Sequence, residues 1–580
     1  MKLNLKNLDI IAFWISLAGL LASIADFGFS QSVFSQQLLH NFYFIVLGIG
    51  VISTFARYIQ DKDLVKKNAF VFDLLSIIFT LWLYYMYLFV GVPFEADQVL
   101  ENPFLVKIAV LFTFIREYSE LKINFKRTVL NPAQLFIVSF LFIILIGSFL
   151  LILPKATYDG ISYLDALFTA TSAVCVTGLI VVDTATHFTL FGQTIIMILI
   201  QIGGLGILTF ASYFSYFFKG GSSYENQLVL SDMTSSNNLG EIFSTIKYII
   251  FITFGIELFS AVLIYSSIDA SNFASQSEQI YFSAFHSISA FCNAGFSTLT
   301  NNLYETGFKY NYYLQLVIIA TFGLGGLGFP IVVNILKYFR YKIVNLFTTK
   351  KIKHKPWMLN LNSRITLVTT LSISFIAFLL FYFLEYHHSL ENYSGFGKMV
   401  TALFGATTPR TAGFNTIDMA TMASPTIILV ILLMWIGASP QSTGGGIKVS
   451  TFAIIFLNIL SLAKEKSRIE IFRREIADVS IRRAFALTSL SLVVIISAIM
   501  LISIFDPEKG LKNIAFECFS AYSTVGLSLG ITSSLSSASK FVIIVVMFVG
   551  RINMLSLVIA VFKKAKHKNY SYPKEEITIN

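Results

Sequence analysis

Long apolar stretches separated by short polar segments dominate the pattern of this chain. Four apolar runs come first, at 8–29, 39–59, 69–92 and 104–115, the last being short. Eight longer runs follow, near 134–154, 193–218, 245–266, 312–336, 364–386, 425–463, 484–505 and 540–562. A helix of about 20 apolar residues crosses the hydrocarbon core of a bilayer. The pattern therefore predicts an all-α integral membrane protein with twelve spans.

Four shorter segments, rich in Ser, Thr, Ala and Gly, lie between members of the last eight runs. They cover 166–179, 283–296, 401–414 and 514–527. Each ends in a glycine followed by Leu or Phe, and these glycines are 117, 118 and 113 residues apart: Gly178, Gly295, Gly413 and Gly526. A hydroxyl residue stands six positions before each glycine: Ser172, Ser289, Thr407 and Ser520. This self-similarity predicts a fourfold internal repeat.

Each repeat has the form expected of a helix–pore-loop–helix unit. A segment too short to span, placed between two spanning helices, must enter and leave the bilayer on one side, and its non-helical backbone must face protein or water. Glycine permits left-handed backbone angles, so successive carbonyls can face one axis. Four such strands would form rings of carbonyl oxygens that replace the hydration shell of a monovalent cation.

Small-residue helix packing is the alternative interpretation of these segments, because such motifs are common in membrane proteins. Four copies at nearly constant spacing favour pore loops. The short helices before the glycines would aim their negative C-terminal ends at the pore centre, which favours a cation there. The four strands contain no ring of acidic residues, which argues against a calcium-type filter.

Lys and Arg are concentrated in alternate loops. The basic loops are 57–67, 116–127, 337–355, 464–483 and 563–568, whereas 26–40, 93–103 and 267–279 contain neither residue. The positive-inside rule then predicts that both termini are cytoplasmic and that all four short segments enter from the outside. The basic loops could instead hold lipid head groups or RNA; their regular alternation favours topology over nucleic acid binding.

Composition narrows the function classes further. Only 13% of residues are charged and 55% are hydrophobic, where soluble domains carry about 25% charged residues. Three scattered cysteines do not predict a disulfide framework or a zinc site. The first apolar run lacks a small-residue cleavage motif, so we expect it to remain as a span. The seven histidines are dispersed, which does not favour a membrane-embedded enzyme.

The segments TSAVCVTGL, AFCNAGFS, TTPRTAGFN and YSTVGLSLG resemble, in order, the four filters of the Trk/Ktr/HKT superfamily of potassium transporters, specifically its TrkH/KtrB-type membrane subunits. The stretch WIGASPQSTGGGIKVSTF at 435–452 is similar to the broken second helix of the third repeat in that family. MFVGRINMLSL at 547–557 resembles the arginine-bearing helix of the fourth repeat. The resemblance covers about residues 130–565.

The resemblance implies a chain that conducts K⁺ as its substrate, without a covalent cofactor and without enzymatic activity. By matching position, the filter would comprise Val176, Thr177, Gly178, Asn293, Ala294, Gly295, Thr411, Ala412, Gly413, Thr524, Val525 and Gly526. In relatives, serine in place of the first filter glycine accompanies sodium permeation, so Gly178 favours potassium. The implied units are accessory helices at 1–130, repeats at 131–220, 240–345, 360–465 and 480–565, and a cytoplasmic tail at 566–580.

The family also implies partners and a location. These are a homodimer in the bacterial inner membrane, in contact with lipid, and a cytosolic nucleotide-binding regulatory subunit of the TrkA/KtrA type. The chain has no GxxxxGK[ST] phosphate loop of its own, which is consistent with regulation in trans. No nucleic acid partner is expected. Whether transport is channel-like or coupled to Na⁺ or H⁺ stays open at this point.

The glycine run Gly444, Gly445 and Gly446 resembles the intramembrane loop that gates the family. A stretch of Ser, Pro and three glycines cannot hold a helix in lipid, so it must face a cavity, either as a gate or as a simple hinge. Arg551, inside an apolar helix, would either restrict cations at this constriction or form a salt bridge with a neighbouring helix. Lys448 would either contact the gate or anchor the cytoplasmic end.

The first four apolar runs exceed what the pore needs, and many relatives have two. They do not resemble a voltage sensor, which needs a cation at every third position, whereas Lys107 and Arg116 are nine apart. We expect a packing or dimer-interface module in which Asp73 could pair with Arg57. The two-residue departure from the family at Asn553 and Met554 leaves the contacts of the fourth repeat open.

Several further residues allow two interpretations. Cys175 and Cys292, each three before a filter glycine, could be redox-active or could simply pack behind the filter. His286 and Glu517, each nine before a glycine, are expected to form local hydrogen bonds. Glu257 could be a coupling site for H⁺ or Na⁺, or could form an interhelical hydrogen bond. A twelve-span secondary transporter is disfavoured because its repeats would contain several spans and no pore loop.

Overall fold

The computed structural model describes residues 5–60, 69–90, 103–120, 132–206, 242–347, 359–552 and 558. The predicted tail at 566–580 and the pair Asn553 and Met554 lie outside this part. The described chain is helical apart from loops and one short hairpin, so the all-α class expected from the sequence is confirmed. By length and composition, six helices could each cross a membrane: Leu8–Gly28, Val33–Ile59, Phe70–Leu88, Lys247–Ser267, Leu361–Glu385 and Asp478–Phe505.

Four N-terminal helices form a unit with a core of its own. They are α1 (Leu5–Gly28), α2 (Val33–Gln60), α3 (Ala69–Tyr85, extended by a π-helical turn at Met86–Val90) and α4 (Pro103–Glu120). The buried core includes Tyr43, Leu47, Leu83 and Val110. Near the end of α1 this unit contacts the rest of the chain, where the rings of Phe27 and Phe191 stack with their centroids 5.7 Å apart.

Among the described residues of this N-terminal unit there are four ion pairs, and two of them are shorter than 3 Å. Lys107 Nζ is 2.8 Å from Asp26 Oδ2, and Arg57 Nη2 is 2.7 Å from Glu117 Oε1. The expected pair of Asp73 with Arg57 is wrong: Asp73 accepts a hydrogen bond from Tyr58 at 2.6 Å. Arg57 turns instead towards α4, where Glu117 is almost fully buried and therefore needs the cation most.

The remaining helices follow one pattern four times: a long helix, a short helix of 12 to 16 residues that ends near a repeat glycine, and a further helix, which is divided into two in the second and third repeats. In chain order they are α5 (Pro132–Leu151), α6 (Tyr163–Val174), α7 (Leu190–Leu205), α8 (Ile242–Ser267), α9 (Gln276–Phe291), α10 (Tyr312–Gly326), α11 (Phe329–Phe347), α12 (Leu361–Glu385), α13 (Gly395–Thr407), α14 (Ser424–Trp435), α15 (Val449–Ala463), α16 (Asp478–Phe505), α17 (Leu511–Ser523) and α18 (Ser537–Ile552). The short helices are α6, α9, α13 and α17.

The packing of these helices closes a ring. The helix that follows each short helix packs against the next short helix along the chain: α7 on α9, α10 on α13, and α14 on α17. The last such helix, α18, returns to pack on the first short helix, α6. The four short helices therefore surround one central region, with the long helices outside them.

Two of the long apolar runs are interrupted. The run near 312–336 was expected to be one helix, but α10 and α11 meet at an angle of 106°. Gly328 adopts a φ of +83°, and Pro330 follows two residues later, so the helix cannot continue through this point. The run at 425–463 is broken between α14 and α15, as the sequence predicts.

A short antiparallel hairpin lies between α15 and α16. Its strands are β1 (Glu470–Ile471) and β2 (Arg474–Glu475), joined by a turn in which Phe472 and Arg473 have positive φ. The hairpin and its flanks belong to the predicted basic cytoplasmic loop, and Arg468, Arg473 and Arg474 are exposed there.

Candidate functional site

Each short helix ends at the segment that carries its repeat glycine. We call the three-residue stretches Val176–Gly178, Asn293–Gly295, Thr411–Gly413 and Thr524–Gly526 the glycine segments. Their first residues have left-handed φ values of 56°, 60°, 79° and 50°, and their glycines have values of 88°, 69°, 77° and 88°. A left-handed non-glycine residue costs about 1–2 kcal/mol. Four such residues at equivalent positions indicate a backbone shape held by the surrounding fold.

The four glycine segments lie side by side in chain order. A Cβ atom on each glycine would collide with the backbone of the next segment, namely Gly178 with Ala294, Gly295 with Ala412 and Gly413, Gly413 with Val525, and Gly526 with Thr177. The last contact returns to the first segment, so the order is a closed ring. Both the positive φ and this close approach disfavour a larger residue at the four positions, because any side chain there would strain the ring.

Hydroxyl groups of the short helices hold the ends of the segments. Ser172 and Ser520 accept from the backbone N–H groups of Gly178 and Gly526 at 3.0 and 3.1 Å. Ser289 donates to the carbonyl of Phe296 at 2.7 Å. These three residues are the ones predicted from their spacing of six before the glycine.

The third repeat uses a different residue from the one predicted. Thr408 donates to the carbonyl of Phe414 at 2.5 Å, whereas Thr407 bonds to Leu403 within its own helix at 2.7 Å. The third connection contains one residue fewer: Ala412 N–H bonds to the residue four before it, and the equivalent bonds in the other repeats reach back five. Counting back from the glycine therefore selects the wrong threonine.

Arg410 lies beside the third segment but does not point into the ring. Its guanidinium donates to Ser374 Oγ at 2.9 Å and to the carbonyl of Thr370 at 3.3 Å. Both partners are on α12, behind the segment. The ring therefore carries no cationic side chain at this level, as a cation-binding site requires.

A cavity of about 200 Å³ opens on the glycine side of the ring. All four segment glycines line it, together with hydroxyl and amide side chains that include Ser297, Asn415 and Ser528. At the opposite side of the ring, the Asn293 amide oxygen accepts from the Thr411 hydroxyl at 3.1 Å. The glycine face of the ring thus borders the cavity, whereas the opposite face carries the bonded side chains of Asn293 and Thr411.

A non-helical loop, residues 436–448, lies against this second face. It joins α14 to α15 and is pinned at its base by the bond from Ile447 N–H to the carbonyl of Trp435, at 3.3 Å. The Gly445 N–H donates to Thr524 Oγ1 at 2.9 Å. A Cβ on Gly444 would overlap the Thr411 hydroxyl. The glycine run therefore touches the first residues of the third and fourth segments.

Two cationic side chains surround this loop. Lys448 Nζ donates to the carbonyl of Gly444 at 2.5 Å. Arg551 donates to the carbonyls of Thr443 and Gly203, and so joins the loop to α7. Neither cation forms an ion pair with a carboxylate of the described residues. Both side chains therefore lie at this loop. For Lys448 the other position considered from the sequence was a cytoplasmic anchor, and for Arg551 it was a salt bridge with a neighbouring helix.

Sequence reasoning missed a second set of repeat glycines. Gly203, Gly325 and Gly550 press against the carbonyls of Val174, Phe291 and Tyr522, in the last turns of short helices, and Gly437 presses against Gly445 in the loop. They stand 25, 30, 24 and 24 residues after the segment glycines. The fragments IGGLG, LGGLG, IGASP and VGRIN carry the signal that could have found them.

The other residues considered from the sequence are buried behind the ring. Gln201 donates to Glu257 at 3.2 Å, which is an interhelical hydrogen bond between α7 and α8. Cys175 and Cys292 are fully buried free thiols, and Cys292 fills the space beside Gly204. These contacts agree with packing and interhelical bonding.

An ion pair links the first and fourth repeats near the cavity. Lys540 Nζ lies 2.7 Å from Asp165 Oδ1, and the Ser162 hydroxyl donates to the same carboxylate at 2.7 Å. Burial alone would raise the pKa of Asp165, but the hydrogen bonds from Lys540 and Ser162 outweigh it and lower that pKa.

Comparison with known proteins agrees with this geometry. Residues 105–572 match the model of the family TrkH, described as cation transport protein. The chain is 38% identical to Ktr system potassium uptake protein B of Bacillus subtilis (strain 168), over 77% of this chain and 96% of that protein. It is 35% identical to potassium/sodium uptake protein NtpJ of Enterococcus hirae, over 78% and 97%.

A solved structure shares the fold. The potassium transporter TrkH from Vibrio parahaemolyticus superposes with a TM-score of 0.60 at 17% identity, covering 85% of this chain and 97% of that one. The family match begins within α4, so α1 to α3 precede it. The family match spans most of the sequence and the similarity to the Bacillus protein covers almost all of that relative. This chain therefore belongs to the TrkH family of cation transport proteins.

Proposed function

We propose that this chain conducts potassium ions across a membrane through a selectivity filter formed by the four glycine segments. The filter residues are Val176, Thr177, Gly178, Asn293, Ala294, Gly295, Thr411, Ala412, Gly413, Thr524, Val525 and Gly526. The observation that carries this proposal is the closed ring in which each glycine abuts the backbone of the next segment. The chain acts as a transporter and not as an enzyme, with K⁺ as its substrate and no covalent cofactor.

The chemistry of the ring suits a monovalent cation. Its inner surface consists of backbone groups and neutral side chains, so carbonyl oxygens can replace the hydration shell without a fixed charge. The four short helices end at the ring, and their negative ends favour a cation at its centre. The relatives named as potassium uptake proteins support K⁺ as the ion.

The loop at 436–448 is the proposed gate, with Gly444, Gly445 and Gly446 as its mobile part. It lies beneath the filter and touches Thr411 and Thr524. Lys448 and Arg551 bond to carbonyls of the loop, so they hold it in place and put positive charge on the ion path. Displacing the loop would remove the steric barrier.

The proposed setting is the bacterial inner membrane, with both termini cytoplasmic and lipid around the long helices. Exposed Phe383 and Ile504 on α12 and α16 suit a lipid-facing surface. The basic hairpin around Arg473 suits the cytoplasmic side. A homodimer and a TrkA/KtrA-like nucleotide-binding regulatory subunit complete the proposed assembly.

The function is tested by potassium-limited growth and uptake of radioactive Rb⁺ in cells that lack their own uptake systems, with a cognate regulatory subunit supplied. We expect the wild-type chain to restore growth and Rb⁺ uptake. Gly178→Ser should lower the preference for Rb⁺ over Na⁺. Absence of Rb⁺ uptake by a wild-type chain present in the membrane would contradict the proposed function.

Two control glycines separate the filter from general effects. Gly160 also has a positive φ, +78°, but no atom lies near its Cβ position. Gly255 lies in α8 and its Cβ position is also open. Gly160→Ser and Gly255→Ala should leave the ratio of Rb⁺ to Na⁺ uptake unchanged. Equal effects of Gly160→Ser and Gly178→Ser would locate the filter elsewhere.

A further inference from the structure

Two ionisable side chains occupy equivalent positions behind the ring. His286 on α9 and Glu517 on α17 each stand nine residues before a segment glycine. They are 0% and 1% exposed. The ring order places their segments, the second and the fourth, opposite each other. The filter and the gate as proposed use neither residue.

Glu517 collects hydroxyl donors from the loop that follows the fourth segment. The Ser528 hydroxyl donates to Glu517 Oε1, and the Thr532 hydroxyl lies 3.1 Å from both carboxylate oxygens. Ser528 Oγ in turn accepts from the Gly530 N–H at 2.9 Å. A buried carboxylate therefore fixes the loop two residues beyond Gly526.

His286 makes the same connection in the second repeat. Its Nδ1 lies 3.0 Å from the carbonyl of Phe282, and because a carbonyl only accepts, Nδ1 carries the proton. In the neutral ring Nε2 then accepts from the Ser297 hydroxyl at 2.9 Å. Ser297 Oγ accepts from the Leu299 N–H at 3.0 Å. Ser297 stands two residues beyond Gly295, as Ser528 does beyond Gly526.

The first and third repeats lack this connection. At the matching position of the first repeat, the Thr169 hydroxyl has no hydrogen-bond partner among the described residues, and the residue two beyond Gly178 is Ile180. In the third repeat the structurally equivalent position, three before Thr408, is Gly405, and the ring of Phe381 fills the place of its side chain. The arrangement is therefore twofold around a fourfold ring.

We propose that Glu517 and His286 are positioning residues that set the selectivity of the filter by fixing Ser528 and Ser297 at its outer mouth. This inference rests on the proposed potassium function. Both serines line the cavity of about 200 Å³ together with the four glycines. Anchoring two opposite segments fixes the separation of their carbonyl groups, and K⁺ over Na⁺ selectivity depends on the size of the ring and the field of its carbonyls. Neither Glu517 nor His286 contacts the ion itself.

The test compares variants of the two serines, Ser528 and Ser297. Ser528→Ala removes the hydroxyl that bonds to Glu517, and Ser297→Ala removes the hydroxyl that bonds to His286. We call these two hydrogen-bonded connections the braces. Uptake of Rb⁺ and of Na⁺ is measured in the cells described above, normalised to the amount of protein in the membrane. We expect each variant to raise Na⁺ uptake relative to Rb⁺ by about three- to tenfold, the factor that corresponds to one hydrogen bond. Ser528→Thr should keep the wild-type ratio, since it retains the hydroxyl.

The control is Thr169→Val, which changes the first-repeat residue equivalent to His286 and Glu517 and removes a hydroxyl that has no hydrogen-bond partner among the described residues. It should leave the ratio unchanged. Ratios for Ser528→Ala and Ser297→Ala equal to that of Thr169→Val would overturn the proposal. So would a loss of protein or of maximal uptake without a change of ratio, which indicates a structural role only. If one serine variant does not reach the membrane, the other decides the question in its own segment.

Failure of this inference can be told from failure of the proposed function. Wild type and Gly178→Ser are measured in the same assay. If wild type takes up Rb⁺ and Gly178→Ser changes the ratio while the serine variants do not, only the brace is wrong. If wild type takes up no Rb⁺, the potassium function itself is wrong.

Discussion

The third repeat and the fourth are built from the same unit, yet they differ at two places. In the fourth, α18 continues as one helix to Ile552, whereas in the third the corresponding helix ends at Trp435 and a loop follows. The third connection between short helix and glycine is also one residue shorter. The loop of the third repeat lies against the ring at Thr411 and Thr524. The departure from symmetry thus coincides with the proposed gate.

What the repeats share is equally informative. All four glycines have positive φ and all four abut the next segment. The backbone of the ring is therefore fourfold even where the side chains around it are not. In the proposed function, two roles are therefore separate in one chain: the ring selects the ion, and the third repeat controls passage.

The largest expected effect concerns the shared ring. Gly178→Ser and Gly413→Ser should reduce the preference for Rb⁺ over Na⁺ to a similar degree, roughly tenfold or more, because each places a side chain against a neighbouring backbone at positive φ. Paired Rb⁺ and Na⁺ uptake measures the ratio. A change in only one of the two variants would contradict a common role of the first and third repeats.

The next effect concerns the loop that only the third repeat has. Arg551→Gln removes a positive charge near the ion path and one anchor of the loop. We expect the Rb⁺ uptake rate to rise on the order of tenfold. At an effective dielectric constant of about 20, a unit positive charge near the path repels a passing cation by about 1 kcal/mol or more. The ratio of Rb⁺ to Na⁺ should not change. Unchanged or lower uptake by a protein of normal abundance would argue against a gating role.

A smaller effect separates two adjacent threonines. Thr408→Val leaves the buried carbonyl of Phe414 without its donor, which costs about 1–3 kcal/mol of stability. Thr407→Val removes only a bond within α13 and should change stability by about 0.5 kcal/mol or less. Thermal unfolding of the two purified variants in detergent measures the difference. Equal midpoints would mean that the third repeat does not depend on the shortened connection.

The smallest effect concerns the ion pair between Asp165 and Lys540. The lowered pKa of Asp165 means that the pair stabilises the folded state above the ordinary value of 3.8 and that this contribution is lost as pH falls through the folded-state pKa. Both side chains are partly exposed, so Asp165→Asn should cost under about 1 kcal/mol at neutral pH. The difference from wild type should shrink below about pH 4. It should also vanish in a Lys540→Met background.

The helices, the repeat and the four glycines could be predicted from the sequence because each leaves a periodic signal. The spacing also located the three serines that bond to the ends of the segments, Ser172, Ser289 and Ser520, although it did not predict those bonds. Thr408 could not be located in this way, because counting back assumes equal connections and the third is one residue shorter. The bend at Gly328 was missed because the apolar run continues across it, although Gly328 and Pro330 both mark the break.

The partners of individual side chains were harder to predict from the sequence than the backbone features. The pairing of Arg57 with Glu117 depends on which helices pack together, and nothing in the local sequence fixes that packing. The partners of Arg410 were equally hard to predict, because they lie 36 and 40 residues earlier in the chain, on α12. By contrast, the second set of glycines, at Gly203, Gly325, Gly437 and Gly550, was present as a sequence signal and could have been found.

The most direct test of the account is cation flux into vesicles that contain the purified chain with its regulatory subunit. Radioactive Rb⁺ and Na⁺ are compared for wild type, Gly178→Ser and Gly160→Ser. The account predicts that wild type and Gly160→Ser pass Rb⁺ in strong preference to Na⁺ and that Gly178→Ser loses this preference. Flux no greater than in empty vesicles, or equal passage of Rb⁺ and Na⁺ by wild type, would contradict a potassium-selective ring of glycine segments.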